Sequence, residues 1–352
     1  MDFRRALTTF GAVVIAAATS VPMHGQERGQ APSQGTPQPA QERKKLSKDD
    51  LASYEAMNTL VNNVIAGKQP APSDVKLTFH NHFLKSSQNI YIPYTLDVEP
   101  GKLTQGPVAM YVRAVSKNAA AAPAATDKGK TDARGGKSSF AFEDIYILPQ
   151  VGAQVQRALE LPGGEYDLYI AMAERPKDKK AQATAKSVVF TQPLSVPDTG
   201  TALTTSSVIL AKSIDAEPKQ LSPQEQLENP YTISGYKIVP RFTPAIPKSE
   251  ELVFLFFVYN EGTAASGKPD LDVDYTFARA AEEKPFSKLA TTSFNATTLP
   301  AEFDISKGHQ VFVGQGIPLT SFAPGDYKLE IKINDKTNSS TVTRNVPFTV
   351  TP

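Results

Sequence analysis

The sequence predicts an all-β chain of two tandem β-sandwiches, preceded by a signal peptide, a disordered tether and one helix. Three observations carry that prediction. Leu161-Pro162-Gly163-Gly164-Glu165-Tyr166-Asp167-Leu168-Tyr169-Ile170 returns 161 positions later as Phe322-Ala323-Pro324-Gly325-Asp326-Tyr327-Lys328-Leu329-Glu330-Ile331. Each copy is followed by a second echo, Pro193-Leu194-Ser195-Val196 and Pro347-Phe348-Thr349-Val350. Between these landmarks, short apolar runs alternate with turn residues, as strands of a sandwich do, and no helical period intervenes.

The N-terminus comes first. Arg4 and Arg5 precede a small, apolar stretch from Ala6 to Val21, the order of an export signal, which places residues 1–25 as a signal peptide. No cysteine follows, so a lipid anchor has no acceptor thiol. Residues 26–46 are rich in Gln, Pro, Gly and Ser and too poor in large apolar groups to fold, and they read as a disordered linker. A helix is expected over 47–67: Ser47 offers a cap, Asp49 and Asp50 suit the first turn, and Gly67 suits the exit. Leu51, Tyr54, Met57, Val61, Val64 and Ile65 fall along one side at helical spacing and need a surface to lie on, most simply the first sandwich.

The first sandwich is placed at 68–198, with strands over 75–84, 90–98, 108–115, 140–148, 165–173 and 187–196. An Ala/Lys/Gly-rich insertion at 117–137 reads as a mobile loop. The second sandwich is placed at 199–352, with strands over 207–214, 236–240, 252–260, 271–279, 311–317, 326–334 and 340–350. Pro218, Pro223 and Pro230 make 215–230 read as a long loop. At 352 residues the chain has length enough for two cores. Its 37 Lys and Arg against 36 Asp and Glu give no electrostatic reason to expect nucleic acid or an anionic membrane. With no cysteine, an exported chain must rely on packing alone.

In the second copy of the repeated phrase Tyr327, Leu329, Ile331 and Ile333 face one way and Lys328, Glu330, Lys332 and Asn334 the other, a half-buried strand. The first copy keeps the inward set, but its outward Tyr169, Ala171 and Ala173 are under-polar. Tyrosine just after a sandwich corner suits the tyrosine-corner device, in which its hydroxyl bonds upstream backbone. On these residues the phrase resembles the penultimate strand of fibronectin type III and immunoglobulin-like domains, which implies two immunoglobulin-like sandwiches. Leu168 and Leu329 stand where antibody-type domains carry a cysteine, and the chain has no tryptophan. A wider resemblance rests on Phe79-His80-Asn81-His82-Phe83-Leu84-Lys85, Tyr91-Ile92-Pro93-Tyr94-Thr95-Leu96 and Ser206-Ser207-Val208-Ile209-Leu210-Ala211. These segments look like β-rich regions of exported Acidobacteria-type proteins, where they accompany GWxTD or von Willebrand A-type domains. Neither the tryptophan of the first signature nor the metal-binding motif of the second is present.

Candidate chemistry is sparse. His80 and His82 share a strand face and could reach one metal, without an evident third ligand. Asp270, Asp272 and Asp274 share a face opposite Leu271, Val273 and Tyr275. They could hold calcium if a loop supplied carbonyls, or could guard the wet face of an edge strand. Gly314-Gln315-Gly316 reads as a bulge. No nucleophile or metalloprotease motif occurs, so no catalytic residue and no cofactor is assigned. In Leu252-Val253-Phe254-Leu255-Phe256-Phe257-Val258-Tyr259 both parities are apolar. One face belongs to the core; the other needs cover, from within the chain or from a partner, which makes Phe254, Phe256, Phe257 and Tyr169 candidate interface residues.

The resulting expectation is an exported, periplasmic or extracellular, non-catalytic protein with a protein partner or structural role and no membrane span after signal cleavage. The alternatives are a carbohydrate-binding module, for which 12 tyrosines could supply platforms, and an enzyme with a motif-less carboxylate site.

Overall fold

A computed structural model describes residues 46–117, 140–177, 181, 183–217, 219, 221–282 and 284–352. The expected signal peptide, all but the last residue of the linker and nearly all of the 117–137 loop lie outside these residues. The described chain is all-β, with strands in antiparallel sandwiches and one long helix. It forms two compact units. The first ends at Asp198 and also includes Leu221–Pro230; the second comprises Thr199–Gln220 and Tyr231–Pro352.

The first unit opens with α1 (Lys48–Ile65). Ser47 caps it, its hydroxyl oxygen accepting from the Asp50 N–H, and Gly67 leaves the helix at φ +65°. Tyr54, Met57 and Val61 are its buried residues; Ile65, expected on the same stripe, is exposed. The strands follow as β1 (Leu77–Asn81), β2 (Leu84–Ser86), β3 (Asn89–Val98), β4 (Val108–Ser116), β5 (Phe142–Leu148), β6 (Gln154–Leu161), β7 (Gly164–Glu174) and β8 (Ser187–Val196). In one sheet β1 and β2 pair along one edge of β3 and β6 along the other. The second sheet runs β5-β4-β7-β8. Three details depart from the sequence expectation. The strand expected over 75–84 breaks at His82 and Phe83. The 140–148 strand begins at Phe142. Gln154–Leu161, whose run of Gln, Arg and Glu hides its alternation, is a full strand.

The core of this sandwich interleaves both sheets: Phe79, Ile92, Tyr94 and Leu96 from one, and Val108, Met110, Val112, Leu168 and Ile170 from the other. A separate cluster lies on the opposite face of β4 and β7, where α1 sets Tyr54, Met57 and Val61 against Ala109, Tyr111, Ile145, Ala171 and Val189. Tyr169 and Ala173 pack against the same cluster, so the under-polar face read from the sequence is the bed of α1.

The second unit contains β9 (Thr204–Thr205), β10 (Ile209–Ala216), β11 (Thr232–Ile233), β12 (Tyr236–Pro240), β13 (Ala245–Pro247), β14 (Glu251–Tyr259), β15 (Leu271–Arg279), β16 (Ser287–Lys288), β17 (Thr292–Phe294), β18 (Val311–Pro318), β19 (Gly325–Asp335) and β20 (Ser340–Thr351). One sheet runs β11-β12-β10-β14-β18; the other runs β13-β20-β19-β15, with β16 and β17 beyond β15. Thus β14, β15, β18, β19 and β20 pair with one another as β3, β4, β6, β7 and β8 do. The stretch read as a long loop instead contains α2 (Pro223–Glu228), started by a capping box in which Ser222 and Glu225 bond each other's backbone N–H. Proline at the first helical position is compatible with a helix, which is why a proline count alone misread it.

The repeated phrase does the same work in both units. The Tyr166 hydroxyl donates to the Pro162 carbonyl at 3.0 Å and the Tyr327 hydroxyl to the Ala323 carbonyl at 2.6 Å. Both are tyrosine corners. The glycine before each acidic residue, Gly164 or Gly325, sits at φ +153° or +143°, conformations an L side chain would strain.

Candidate functional site

The three carboxylates at the start of β15, Asp270 just before it and Asp272 and Asp274 on it, are spoken for. Lys336 Nζ reaches Asp270 at 3.3 Å and Asp272 at 2.9 Å, and Lys288 Nζ reaches Asp274 at 3.2 Å. The Ser293 hydroxyl donates to Asp272 and the Thr291 hydroxyl to Asp274, each at 2.6 Å. The Ser293 hydroxyl and then Lys336 hold Asp272 below the usual carboxylate range; the Thr291 hydroxyl and then Lys288 do the same for Asp274. The edge-strand reading is corrected: β15 pairs with β19 on one side and with β16 and β17 on the other, so Asp272 and Asp274 decorate an interior strand. Ammonium groups stand where a calcium ion would need open carboxylate oxygens.

His80 and His82 are separated by the strand break. His80 is on β1, its Nε2 3.0 Å from Asp97, while the backbone of His82 donates to the Pro93 carbonyl at 3.1 Å beyond the end of β1. The shared-face argument for a metal pair assumed an unbroken strand, and that assumption is corrected. Burial depresses His82 to about 4, with the neighbouring His80 charge adding to the effect. Among the described residues, no group of three His, Cys, Asp or Glu side chains is arranged to hold a metal ion.

Of the candidate interface residues, Phe254 and Phe256 point into the core of the second sandwich and are fully buried. That corrects their reading as candidate interface residues. Phe257 is buried on the opposite face of β14, in a row of rings: Tyr236 stacks on Phe312 at 5.3 Å, Phe312 meets Phe257 at 5.3 Å, and Phe257 stacks on Tyr259 at 6.5 Å. Tyr169 lies in the α1 bed. Phe286, which the sequence did not single out, is 52% exposed and leans edge-on against Phe322 and Tyr327.

A dense polar cluster lies under α1, where no sequence motif points to it. Arg113 on β4 is 0% exposed and pairs with Glu143 of β5 at 3.1 Å. Its Nε donates to the Tyr111 hydroxyl at 2.8 Å, and the Tyr111 hydroxyl donates to Glu143. From α1, Asn62 accepts from Arg113 Nη1 at 2.7 Å and Asn58 from Nη2 at 3.0 Å, while Asn62 Nδ2 donates to Asn58 at 2.6 Å. The guanidinium also lies 3.8 Å from the Phe140 ring centroid. Burial, and then hydrogen bonding to Glu143, push the Tyr111 hydroxyl well above its usual range. At the start of α1, Arg175 pairs with Asp50 at 2.9 Å and donates to the Asp49 carbonyl at 3.0 Å. The helix is therefore pinned through two arginines, Arg113 on β4 and Arg175 just beyond β7. The sequence signal was faint: Arg113 inside the otherwise apolar run of β4, and Glu143 next to Asp144 in β5.

Elsewhere in the first unit, a cleft of about 150 Å³ is bordered by Val98, Glu99, Leu103, Thr104, Val151 and Ala153. No helix among the described residues is long and apolar enough to cross a membrane.

No protein-family model and no curated protein matches the sequence. Among solved structures, the chain is similar to the native conformation of Escherichia coli alpha-2-macroglobulin, with 10% identity over 79% of this chain and a TM-score of 0.22. It is likewise similar to trypsin-activated alpha-2-macroglobulin from the same organism, with 8% identity over 80% of this chain and a TM-score of 0.22. In both cases the chain spans 17% of the other protein's length.

Proposed function

We propose that this is an exported, non-catalytic protein whose two sandwiches serve protein interaction or structural support at the cell envelope or outside the cell. The observation that carries the reading is how the chain spends its ionisable groups. The β15 carboxylates are held by Lys336 and Lys288, His80 is held by Asp97, and the buried Arg113 and Glu143 are held by each other. Each is engaged in holding the fold, where a catalytic acid, base or nucleophile would face a substrate. The export part rests on Arg4, Arg5 and the apolar run behind them, and on the resemblance of three segments to exported Acidobacteria-type β-rich regions. The test is twofold. N-terminal sequencing of the native protein should begin near Gln26, and pull-down with the mature chain from envelope extract should retain a partner that a scrambled control does not. A native N-terminus at Met1 in the cytosol would overturn export.

A second reading, carbohydrate binding, is favoured by one observation: the exposed Phe286 ring, backed by Phe322 and Tyr327, is a flat apolar platform. A glycan array probed with the mature chain and with Phe286→Ala separates the two; sugar binding lost in the variant would favour this reading over the first.

A further inference from the structure

We propose that α1 is an exchangeable strap, and that the face beneath it is a docking site which the α1 of a second copy fills. The argument begins with separateness. The cluster under α1 shares no residue with the core between the two sheets, so the sandwich keeps its own core when α1 leaves. Tyr54, Met57 and Val61 of the 18 helix residues are buried, and Leu51, Leu60 and Val64 pack partly buried beside them, so the attachment is one stripe of a single helix.

The polar part of the contact points the same way. Arg113 and Glu143 keep each other as partners, and Arg113 keeps Tyr111, when the helix departs; the ion pair that leaving breaks is Arg175 with Asp50, whose side chains are both already partly exposed to water. Water then reaches the Arg113–Glu143 pair that α1 had desolvated, which offsets part of the lost packing. What departs with α1, besides Asp50, is the pair of amide acceptors, Asn58 and Asn62, one turn apart. They also set what fits the bed: a helix with an apolar stripe of the Tyr-x-x-Met-x-x-x-Val kind and two amides at i and i+4 facing the guanidinium.

A second copy meets that requirement by construction, and the connection permits it. Beyond Gly67, where φ is +65°, Lys68 to Pro72 carry two prolines, and the chain is anchored to β8 again from Pro72, whose carbonyl accepts from the Val189 N–H at 2.9 Å, and Ser73, which bridges to Val188. A hinge of about five residues can span up to roughly 17 Å when extended. Proline keeps such a segment extended and disfavours folding back, the setting in which identical elements are exchanged between copies. The proposal stands whether or not the chain is exported.

The test uses the full chain, which contains no cysteine and so takes site-specific labels cleanly. A fluorescent peptide of residues 46–66 is added to the wild type and to Asn58→Ala/Asn62→Ala, with circular dichroism confirming that both remain folded. The peptide carries both amides, so it should enter the variant at least about tenfold faster than the wild type, which must first release an intact α1. At high peptide concentration the wild-type rate should stop rising, limited by that release. In the second arm, two pools labelled at the exposed Ala56→Cys with donor and acceptor should gain energy transfer on mixing, in step with a dimer seen by light scattering. Peptide uptake by neither folded protein overturns the exchangeable strap. Uptake of peptide with no energy transfer between copies at any concentration overturns the second copy as occupant.

Discussion

Glu174 and Asp335 hold the same place at the end of the repeated strand, separated by the same 161 residues as Tyr166 and Tyr327, and both are buried carboxylates engaged by backbone N–H groups. Glu174 accepts from Thr104 and Gln105 on the loop between β3 and β4 at 2.6 and 2.7 Å, and from Lys186 at 2.8 Å. Asp335 accepts from Gly262, on the loop between β14 and β15, at 2.6 Å, and from Thr337 at 2.9 Å. Each carboxylate thus ties the loop from the facing sheet to the end of its own strand. A side chain at Gly262 would run into Thr337 at 2.9 Å, which keeps that approach open only to glycine.

Replacing either carboxylate leaves buried donors unsatisfied. Glu174→Ala and Asp335→Ala should each cost about 2–4 kcal/mol, with Asp335→Asn costing less because one acceptor oxygen remains. Chemical denaturation measures the loss. Hydrogen exchange should show the Thr104, Gln105 and Lys186 amides losing protection in the first variant and Gly262 in the second. Unchanged protection at those amides would refute the tie.

The tyrosine corners give a second measurement. Tyr166→Phe and Tyr327→Phe each remove one hydroxyl bond and should cost about 1 kcal/mol. The alanine variants empty a core position and should cost about 3–5 kcal/mol. A Tyr327→Ala protein that melts like the wild type would dismiss the corner as a stabilising device.

The buried pair under α1 predicts an asymmetry. Arg113→Met alone leaves Glu143 charged and enclosed, and should destabilise the first unit by about 3–5 kcal/mol. Arg113→Met with Glu143→Leu removes both charges and should recover most of that loss. A double variant as unstable as the single one would mean that the pair, and not the stranded charge, carries the energy.

Much of the fold was legible because alternation is a strong signal where one face is wet. Leu329, Ile331 and Ile333 against Lys328, Glu330 and Lys332 left little choice, and Ser47 with Asp50 announced the start of α1. What escaped had a physical reason. Gln154–Leu161 alternates weakly because Arg157 faces the same way as Val155 and Leu159, and α2 hides behind prolines that suit a helix start. The apolar bed of α1 was legible in Tyr169, Ala171 and Ala173, but the polar cluster beside it escaped because Asn58, Asn62, Arg113 and Glu143 meet only after the sheet folds. Glu174 escaped because its role depends on a loop about 70 residues away in sequence.

Two windows of pH dependence follow from groups held below their usual range. His82, depressed to about 4 from 6.5 chiefly by burial, is neutral in the folded chain where the unfolded chain already binds a proton. Its contribution is fully present above about pH 6.5 and is lost as pH falls toward about 4. Asp272 and Asp274 act lower: their contribution is present above the unfolded carboxylate range near ~4 and is lost as pH falls through their depressed folded values. Denaturation across pH should show the first slope abolished in His82→Gln and the second reduced in Ser293→Ala/Thr291→Ala. A wild-type stability that is flat from pH 6.5 to 4 would refute the His82 assignment.

The apolar run of β14 supplies the last prediction. Phe254 and Phe256 lie inside the sandwich with Tyr275 and Val313, and Leu255 and Phe257 are equally enclosed on the opposite face, Phe257 in the ring row with Phe312 and Tyr259. An aspartate at either parity therefore puts a charge among apolar groups with nothing to neutralise it. Phe254→Asp and Phe256→Asp should abolish folding of the second unit. Leu255→Asp and Phe257→Asp should also lower the melting temperature of the monomer at all protein concentrations, because the enclosure of this face is present in the single chain. Melting followed by light scattering over a hundredfold range of concentration decides the matter. If Phe257→Asp keeps the monomer's melting temperature while abolishing a concentration-dependent association, the face is a partner site, and the enclosure within one chain is refuted.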